Sequence, residues 1–317
     1  MGNDPYWASA GGARNAAAIT PGRDGGDYGV GVRWSPSWLQ GTMGFYYRKY
    51  DEKTPWSSTQ FTGTGAQVRL AYARDTELFG LSLSKVVAGV SVGSELVYRK
   101  NTALNSYSGF WEGTNGVRAV IAGTPTYAQA EGARGDTYHF LLNGIWLLPK
   151  TMFWDSGALQ GEFVYQRLDK VTKNENVFYS VDYLCKTGYA LMGVAPNARN
   201  KGDGCVTKYS TSLQVGFTPQ WPQLFPSWDL SLPMSYKYGL YGNSPAIGGS
   251  YEGAYNYSIG TKFTYRNRYD FTLQWNDAHV DYKKNAAGVA TTANASGSGG
   301  GVVNNKGWLN FSFKTSF

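Results

Sequence analysis

Nowhere does the sequence offer the ~18 or more consecutive apolar residues that a membrane-crossing helix needs. Histidine and cysteine are nearly missing, with two of each in 317 residues. Catalysis by a histidine base and metal binding by Cys/His clusters therefore have few starting points. A basic cluster of the kind that grips nucleic acid is also missing. The net charge is +7, yet Lys and Arg are scattered, and the densest pairs are Arg99-Lys100 and Lys283-Lys284 at strand ends. Nucleic-acid binding is not expected, and the charge reads as solvated loop and interior surface. Glycine-rich runs near 248 and 297 match no phosphate-cradling motif. Met1 to Gly26 lacks the basic and apolar regions of a secretory signal.

Aromatic residues are plentiful instead: 24 Tyr, 15 Phe and 11 Trp, in a chain whose mean hydropathy is only -0.37. Forty-one glycines favour strands, turns and loops over helices. The tail Phe311-Ser312-Phe313-Lys314-Thr315-Ser316-Phe317 alternates aromatic with polar and stops on phenylalanine. Successive strand residues face opposite ways, so one face of such a strand suits lipid and the other a wet interior. A soluble edge strand would be blunted by charge or proline. The pattern reads as the closing strand of a transmembrane β-barrel. A terminal aromatic strand of this kind, with Phe311, Phe313 and Phe317, resembles the signal by which bacterial outer-membrane assembly machinery selects its clients.

Period-two segments predict strands at about 28–34, 40–50, 76–85, 88–100, 136–148, 158–169, 206–218, 228–240, 252–266, 269–282 and 306–317. Several are longer than soluble strands and match the ~9–11 tilted residues that cross a bilayer. Short links at 35–39, Val86-Val87, 149–157, 219–227 and Asn267-Arg268 predict periplasmic turns. Long links at about 51–75, 101–135, 170–205, 241–251 and 283–305 predict extracellular loops. Trp34, Trp38, Tyr50, Trp228, Tyr269 and Trp308 fall at strand ends, where an interfacial girdle would sit. The expected fold is all-β, a transmembrane antiparallel β-barrel of about 11–12 recognisable strands, read as part of a larger barrel because such barrels have even strand numbers. Residues 28–317 would form the barrel domain and 1–27 an amino-terminal loop or truncated segment. Gln67 to Arg74 would be either a further strand or folded loop. The missing signal and odd strand count read as truncation of a longer barrel, or as processing.

Alternation assigns interior-facing charge to Arg48, Glu95, Arg99, Glu162, Lys208, Asp229, Lys237, Lys262, Arg266 and Asp270. Cations outnumber carboxylates there, which predicts mild anion preference in a pore. Glu95 and Glu162, among basic neighbours, read as members of a salt-bridge network. His139 shares a face with Asn143, faintly like a Ser-His-Asn hydrolase, but Ser82 or Ser84 would have to serve as nucleophile without other support. A polar interior residue is the plainer reading, and no enzymatic activity, cofactor or metal is expected. Cys185 and Cys205 fall in one long loop, where a disulfide would close about twenty residues and stabilise by roughly 3 kcal/mol. A metal pair and two free thiols are the alternatives.

Three blocks also carry a resemblance: Gly31-Val32-Arg33-Trp34-Ser35-Pro36-Ser37-Trp38-Leu39-Gln40-Gly41-Thr42-Met43-Gly44-Phe45-Tyr46-Tyr47-Arg48, then Leu78-Phe79-Gly80-Leu81-Ser82-Leu83, then Gly89 to Arg99. They resemble the proteobacterial outer-membrane family catalogued as domain of unknown function thirteen-oh-two. The resemblance implies a Gram-negative outer-membrane barrel, longer in its other members, associated with lipid or hydrophobic-compound export, and with no catalytic residues to carry over. The expected function is a porin-like channel or transporter for small or hydrophobic molecules. The alternative is a non-conducting component of a lipid or hydrophobic-compound transport assembly. Expected partners are outer-membrane lipid, lipopolysaccharide and the barrel assembly machinery.

Overall fold

The computed structural model describes residues 15–19, 25–62, 65–106, 109–111, 127–183, 185, 200–281, 304 and 306–316. Phe317 lies outside them. The strands within these residues fall into two sheets. The large one is antiparallel and contains β2 (Tyr28–Trp34), β3 (Gly41–Tyr50), β6 (Thr76–Val87), β7 (Val90–Ala103), β9 (Arg134–Leu148), β10 (Ser156–Lys173), β11 (Tyr209–Phe225), β12 (Trp228–Ser231), β13 (Met234–Tyr241), β14 (Tyr255–Tyr265), β15 (Tyr269–His279) and β16 (Trp308–Thr315). The small one, in the order β1-β5-β4-β8, is built from β1 (Asn15–Ile19), β4 (Trp56–Thr62), β5 (Gly65–Ala71) and β8 (Gly109–Trp111).

In the large sheet, chain neighbours are sheet neighbours, as short reversals dictate. The β12 and β13 segments lie between the same two partners, β11 and β14. Their register is continuous: Ser231 faces Lys262 and Met234 faces Ile259, three residues on along both strands. The interruption falls at Pro233, which has no N–H to give the ladder. Its carbonyl still accepts from Gly260 N at 2.9 Å. The twelve strands therefore make eleven staves, matching in order the eleven expected segments.

Differences lie at the ends. Val86 and Val87 extend β6, and the reversal falls on Ala88 and Gly89, both at positive φ (49° and 80°). That pair of left-handed residues is what a two-residue hairpin on twisted strands requires. Between β14 and β15 three residues, Arg266, Asn267 and Arg268, separate the paired Tyr265 and Tyr269, the first two at φ 50° and 54°. Gln67 to Ala71 is a strand, but of the small sheet, so this segment is folded loop and not a further stave. The segment expected as an amino-terminal loop contributes β1, which pairs parallel with β5.

Staves β2 and β16 each have one neighbour, so both outer edges are unpaired among the described residues. Alternating directions over eleven staves make these two edges run the same way. Buried apolar side chains gather at the long-link end of the sheet. One cluster joins Trp56, Ala71, Ala73, Ala103 and Ala130; another joins Leu104, Ala133, Leu168, Val177, Phe178 and Val206. The hydrophobic core is thus a layer of folded links packed on strand ends.

Candidate functional site

Register determines which side chains share a face. On one side runs an uninterrupted apolar belt: Val32 faces Phe45, Phe45 faces Leu81, Leu81 faces Leu96, and Leu96 faces Phe140. It continues through Phe163 opposite Leu213, Tyr236 opposite Tyr257, Ile259 opposite Trp275, and Leu273 opposite Phe311. Much of this belt is uncovered, with Val30, Ile259 and Phe311 respectively 65%, 54% and 64% exposed. Phe313, opposite Phe271, belongs to it as well.

The other face is polar, and it carries most of the expected charged residues. Arg48 stands opposite Leu78, which stands opposite Arg99. Glu95 faces Ser82 and Leu141; Glu162 faces Asn143 and Gln214; Lys237 faces Gln214 and Asn256. Asp229 faces Thr264, and Asp270 faces Thr264 and Lys314. Lys262 pairs with Asp270 at 2.9 Å, and Asp270 also accepts from Thr264 Oγ1 at 2.7 Å.

Two expectations on this face need correction, those for Arg266 and for the salt-bridge network. Arg266 is not on a strand: β14 ends at Tyr265, and the guanidinium stacks over the Tyr265 ring at 5.1 Å, on the apolar side. Lys208 lies one residue before β11, and its carbonyl accepts the Leu168 N–H at 2.7 Å, which continues the β10–β11 ladder. The salt-bridge network around Glu95 and Glu162 is not found among the described residues, because register gives Glu162 amide neighbours and Glu95 accepts from the Tyr46 hydroxyl.

Tyr46 was missed by reading charge alone, although alternation places it between Gly31 and Gly80 on the polar face. Its ring passes over Gly80, where a Cβ would come 2.0 Å from ring carbon. Only glycine admits this arrangement, which aims the phenol at Glu95. His139 has Thr137 Oγ1 2.9 Å from its Nε2, and Asn143 lies over Gly93. Among the described residues no serine hydroxyl bonds to His139.

Over the long-link end of the polar face lies the folded layer. Thr76, Val97, Thr137, Leu168, Ser210 and Ser212, all polar-face positions, are buried there. Ser244 Oγ donates to Gln166 Oε1 at 2.5 Å, tying the layer to β10. Asn105 donates to the carbonyls of Ser244 and Ala246 at 2.8 and 3.1 Å, and Asn243 to that of Cys205 at 2.8 Å. Cys185 and Cys205 are disulfide-bonded and fully buried, their Cα atoms 5.6 Å apart.

The layer also holds a buried ionic hub. Arg134 Nε lies 2.5 Å from Glu131 Oε1, both side chains 3% exposed, and Lys173 reaches the other Glu131 oxygen. The Arg134 Nη1 donates to the carbonyls of Arg74 at 2.6 Å and Asn101 at 3.2 Å. Burial pushes the neighbouring Tyr127 hydroxyl above its ordinary pKa. A second latch joins Lys201 to Glu252 at 2.7 Å. Burial raises the Glu252 carboxyl, but Lys201 and the Gly242 N–H outweigh it and hold it below the usual carboxylate value. That contribution is complete at neutral pH and disappears as pH falls through the carboxylate range.

These features define a large two-faced antiparallel sheet, apolar on one side and polar on the other, with a loop layer packed on the polar face. The profile of a family described as "Protein of unknown function (DUF1302)" matches residues 3–317, and the chain belongs to that family. No curated protein and no solved structure matches it.

Proposed function

We propose that this chain is the wall of an outer-membrane β-barrel that passes small or hydrophobic molecules through a polar interior, with the loop layer narrowing the outer mouth. The observation that carries the reading is the uncovered apolar belt running from Val32 in β2 to Phe311 in β16. Soluble monomers seldom expose contiguous apolar patches beyond a few hundred Å². Hydrocarbon is the solvent that suits such a face, and the polar face then lines water.

Lipid also forbids unpaired strand edges. A closed barrel therefore pairs the free edges of β2 and β16 as well, directly or through further strands. Because those edges run the same way, an odd number of added strands keeps every pairing antiparallel. The exposed Phe311 and Phe313 on the last stave fit recognition by barrel assembly machinery.

Without Arg266, the ladder charges on the polar face are Arg33, Arg48, Arg99, Lys208, Lys237, Lys262 and Lys314 against Glu95, Glu162, Asp229 and Asp270. The small cationic excess leaves a weak anion preference. Packing of the loop layer on the polar face favours the second reading, a non-conducting partner in a lipid or hydrophobic-compound transport assembly. Planar-bilayer recording of the full-length protein separates the two. Conduction predicts ohmic steps whose reversal potential in a salt gradient shifts toward the anion. A folded but silent barrel favours the partner role, and cation preference contradicts the charge argument.

A further inference from the structure

The polar face is interrupted by aliphatic side chains on four neighbouring strands: Leu78 of β6, Val97 of β7, Leu141 of β9 and Val164 of β10. Cross-strand register makes them one oblique stripe. Val97 faces Gly80, two residues from Leu78, and also His139, two residues from Leu141, which itself faces Val164. Elsewhere the same face carries Ser235, Lys237, Asn256, Ser258 and Lys262, as a wall against water should.

Neither packing reason for an apolar side chain accounts for the stripe. It faces away from the belt that suits lipid, and none of its residues belongs to the two buried clusters of the loop layer. Val97 is buried, whereas Leu78, Leu141 and Val164 are half-buried. The Tyr46 ring, passing over Gly80, extends the apolar surface beside Val97.

Arg99 stands at the head of the stripe. It faces Leu78 directly, and Val97 is two residues along the same strand. Its charge reaches both Tyr46 and His139, which flank Val97 from the two sides. Among the described residues Arg99 has no ion pair and no hydrogen bond, and its Nε is shut off from solvent. A shielded donor left without an acceptor is costly. Two carboxylates of this region have other partners: Glu52 accepts from Thr102 Oγ1 at 2.7 Å, and Glu95 accepts from Tyr46. Arg48, on the far side of Leu78, pairs with Asp27 at 3.9 Å and lies over the Tyr50 ring, so the argument rests on Arg99 alone.

We propose that Arg99 and the stripe form a binding site for an aliphatic monocarboxylate, its carboxylate taken by the Arg99 guanidinium and its chain laid over Leu78, Leu141 and Val164. Charge complementarity selects the head, and the stripe selects the chain. Three inter-strand steps of ~4.8 Å make the stripe at least ~14 Å long, enough for a chain of about ten carbons. Glu95 faces Leu141 at the far end, where it repels an anionic head and so gives the ligand one orientation. The proposal rests on the membrane-barrel reading and names the class of molecule that the polar interior recognises.

Photolabelling of the full-length protein in lipid vesicles with a diazirine-bearing dodecanoate, mapped by peptide mass spectrometry, tests it. Label is expected at Leu141 and Val164, and excess dodecanoate should suppress it roughly tenfold better than dodecanol, because one charge-assisted contact separates the two. R99Q cuts the polar-face label by a similar factor, and R99K, which keeps the charge, retains part of it. Equal suppression by dodecanol overturns the proposal, as does polar-face label that R99Q leaves unchanged or that never forms. Label at Phe45 and Leu273 on the belt keeps the failures apart. Its absence fails the membrane-barrel reading itself, whereas belt label without carboxylate-specific label on the polar face fails only this site.

Discussion

Phe178→Ala destabilises the loop layer by about 3–5 kcal/mol. Phe178 is fully buried, packed among Leu104, Val177, Val206 and the strand residue Leu168, with the Tyr183 ring tilted against it at 5.2 Å. Truncation removes a ring from the largest core in the described residues and leaves a cavity that the surrounding hydrogen bonds resist closing. Denaturant unfolding in detergent, followed by tryptophan fluorescence, is the measurement for the overall cost. Limited proteolysis locates it: cleavage within the links should accelerate while the staves stay resistant. Equal resistance of the links in wild type and variant would mean the layer does not depend on this core.

Glu131→Gln is expected to have a comparable effect, about 3–5 kcal/mol, for an electrostatic reason. The carboxylate neutralises Arg134 and accepts Lys173, and both Glu131 and Arg134 are 3% exposed. Removing one charge leaves the buried guanidinium without its carboxylate, held by the carbonyls of Arg74 and Asn101, the Tyr127 hydroxyl and the face of Trp56. Replacing both charges by apolar groups, E131L with R134M, should recover most of the loss, because breaking a buried pair costs far more than removing it whole. Denaturant midpoints of E131L, R134M and the E131L/R134M double variant complete the cycle. Purely additive losses would show that the pair is not coupled.

The eleven staves were legible in the sequence because each repeats apolar and polar residues with period two over many residues. The pairing of Leu81 with Leu96 and of Phe163 with Leu213 follows from that repeat once the turns are placed. The disulfide was legible as the pairing of two cysteines in one link, and the structure joins them. Alternation was carried too far at Arg266, one residue past the end of β14, where a left-handed turn residue replaces a strand residue.

The loop layer was not legible, for a physical reason. Its links lack periodicity and gain structure from contacts between distant segments, such as Asn105 with Ser244, 139 residues apart. Tyr46 escaped notice because its role needs Gly80 and Glu95 on two further strands. Ion pairing on the polar face was misjudged from charge counts, whereas cross-strand register decides which charges meet: Lys262 finds Asp270, and Glu162 finds Asn143 and Gln214.

The most direct test of the membrane-barrel account is a single-site polarity scan along the last two staves. Cysteines introduced one at a time at Thr272, Leu273, Gln274, Trp275, Leu309, Asn310, Phe311 and Ser312, in the full-length protein with Cys185–Cys205 oxidised, would carry an environment-sensitive fluorophore in lipid vesicles. The account predicts strict alternation: labels at Leu273, Trp275, Leu309 and Phe311 report hydrocarbon and are quenched by brominated lipid, while those at Thr272, Gln274, Asn310 and Ser312 report water. Uniform exposure to water at all eight positions would contradict it.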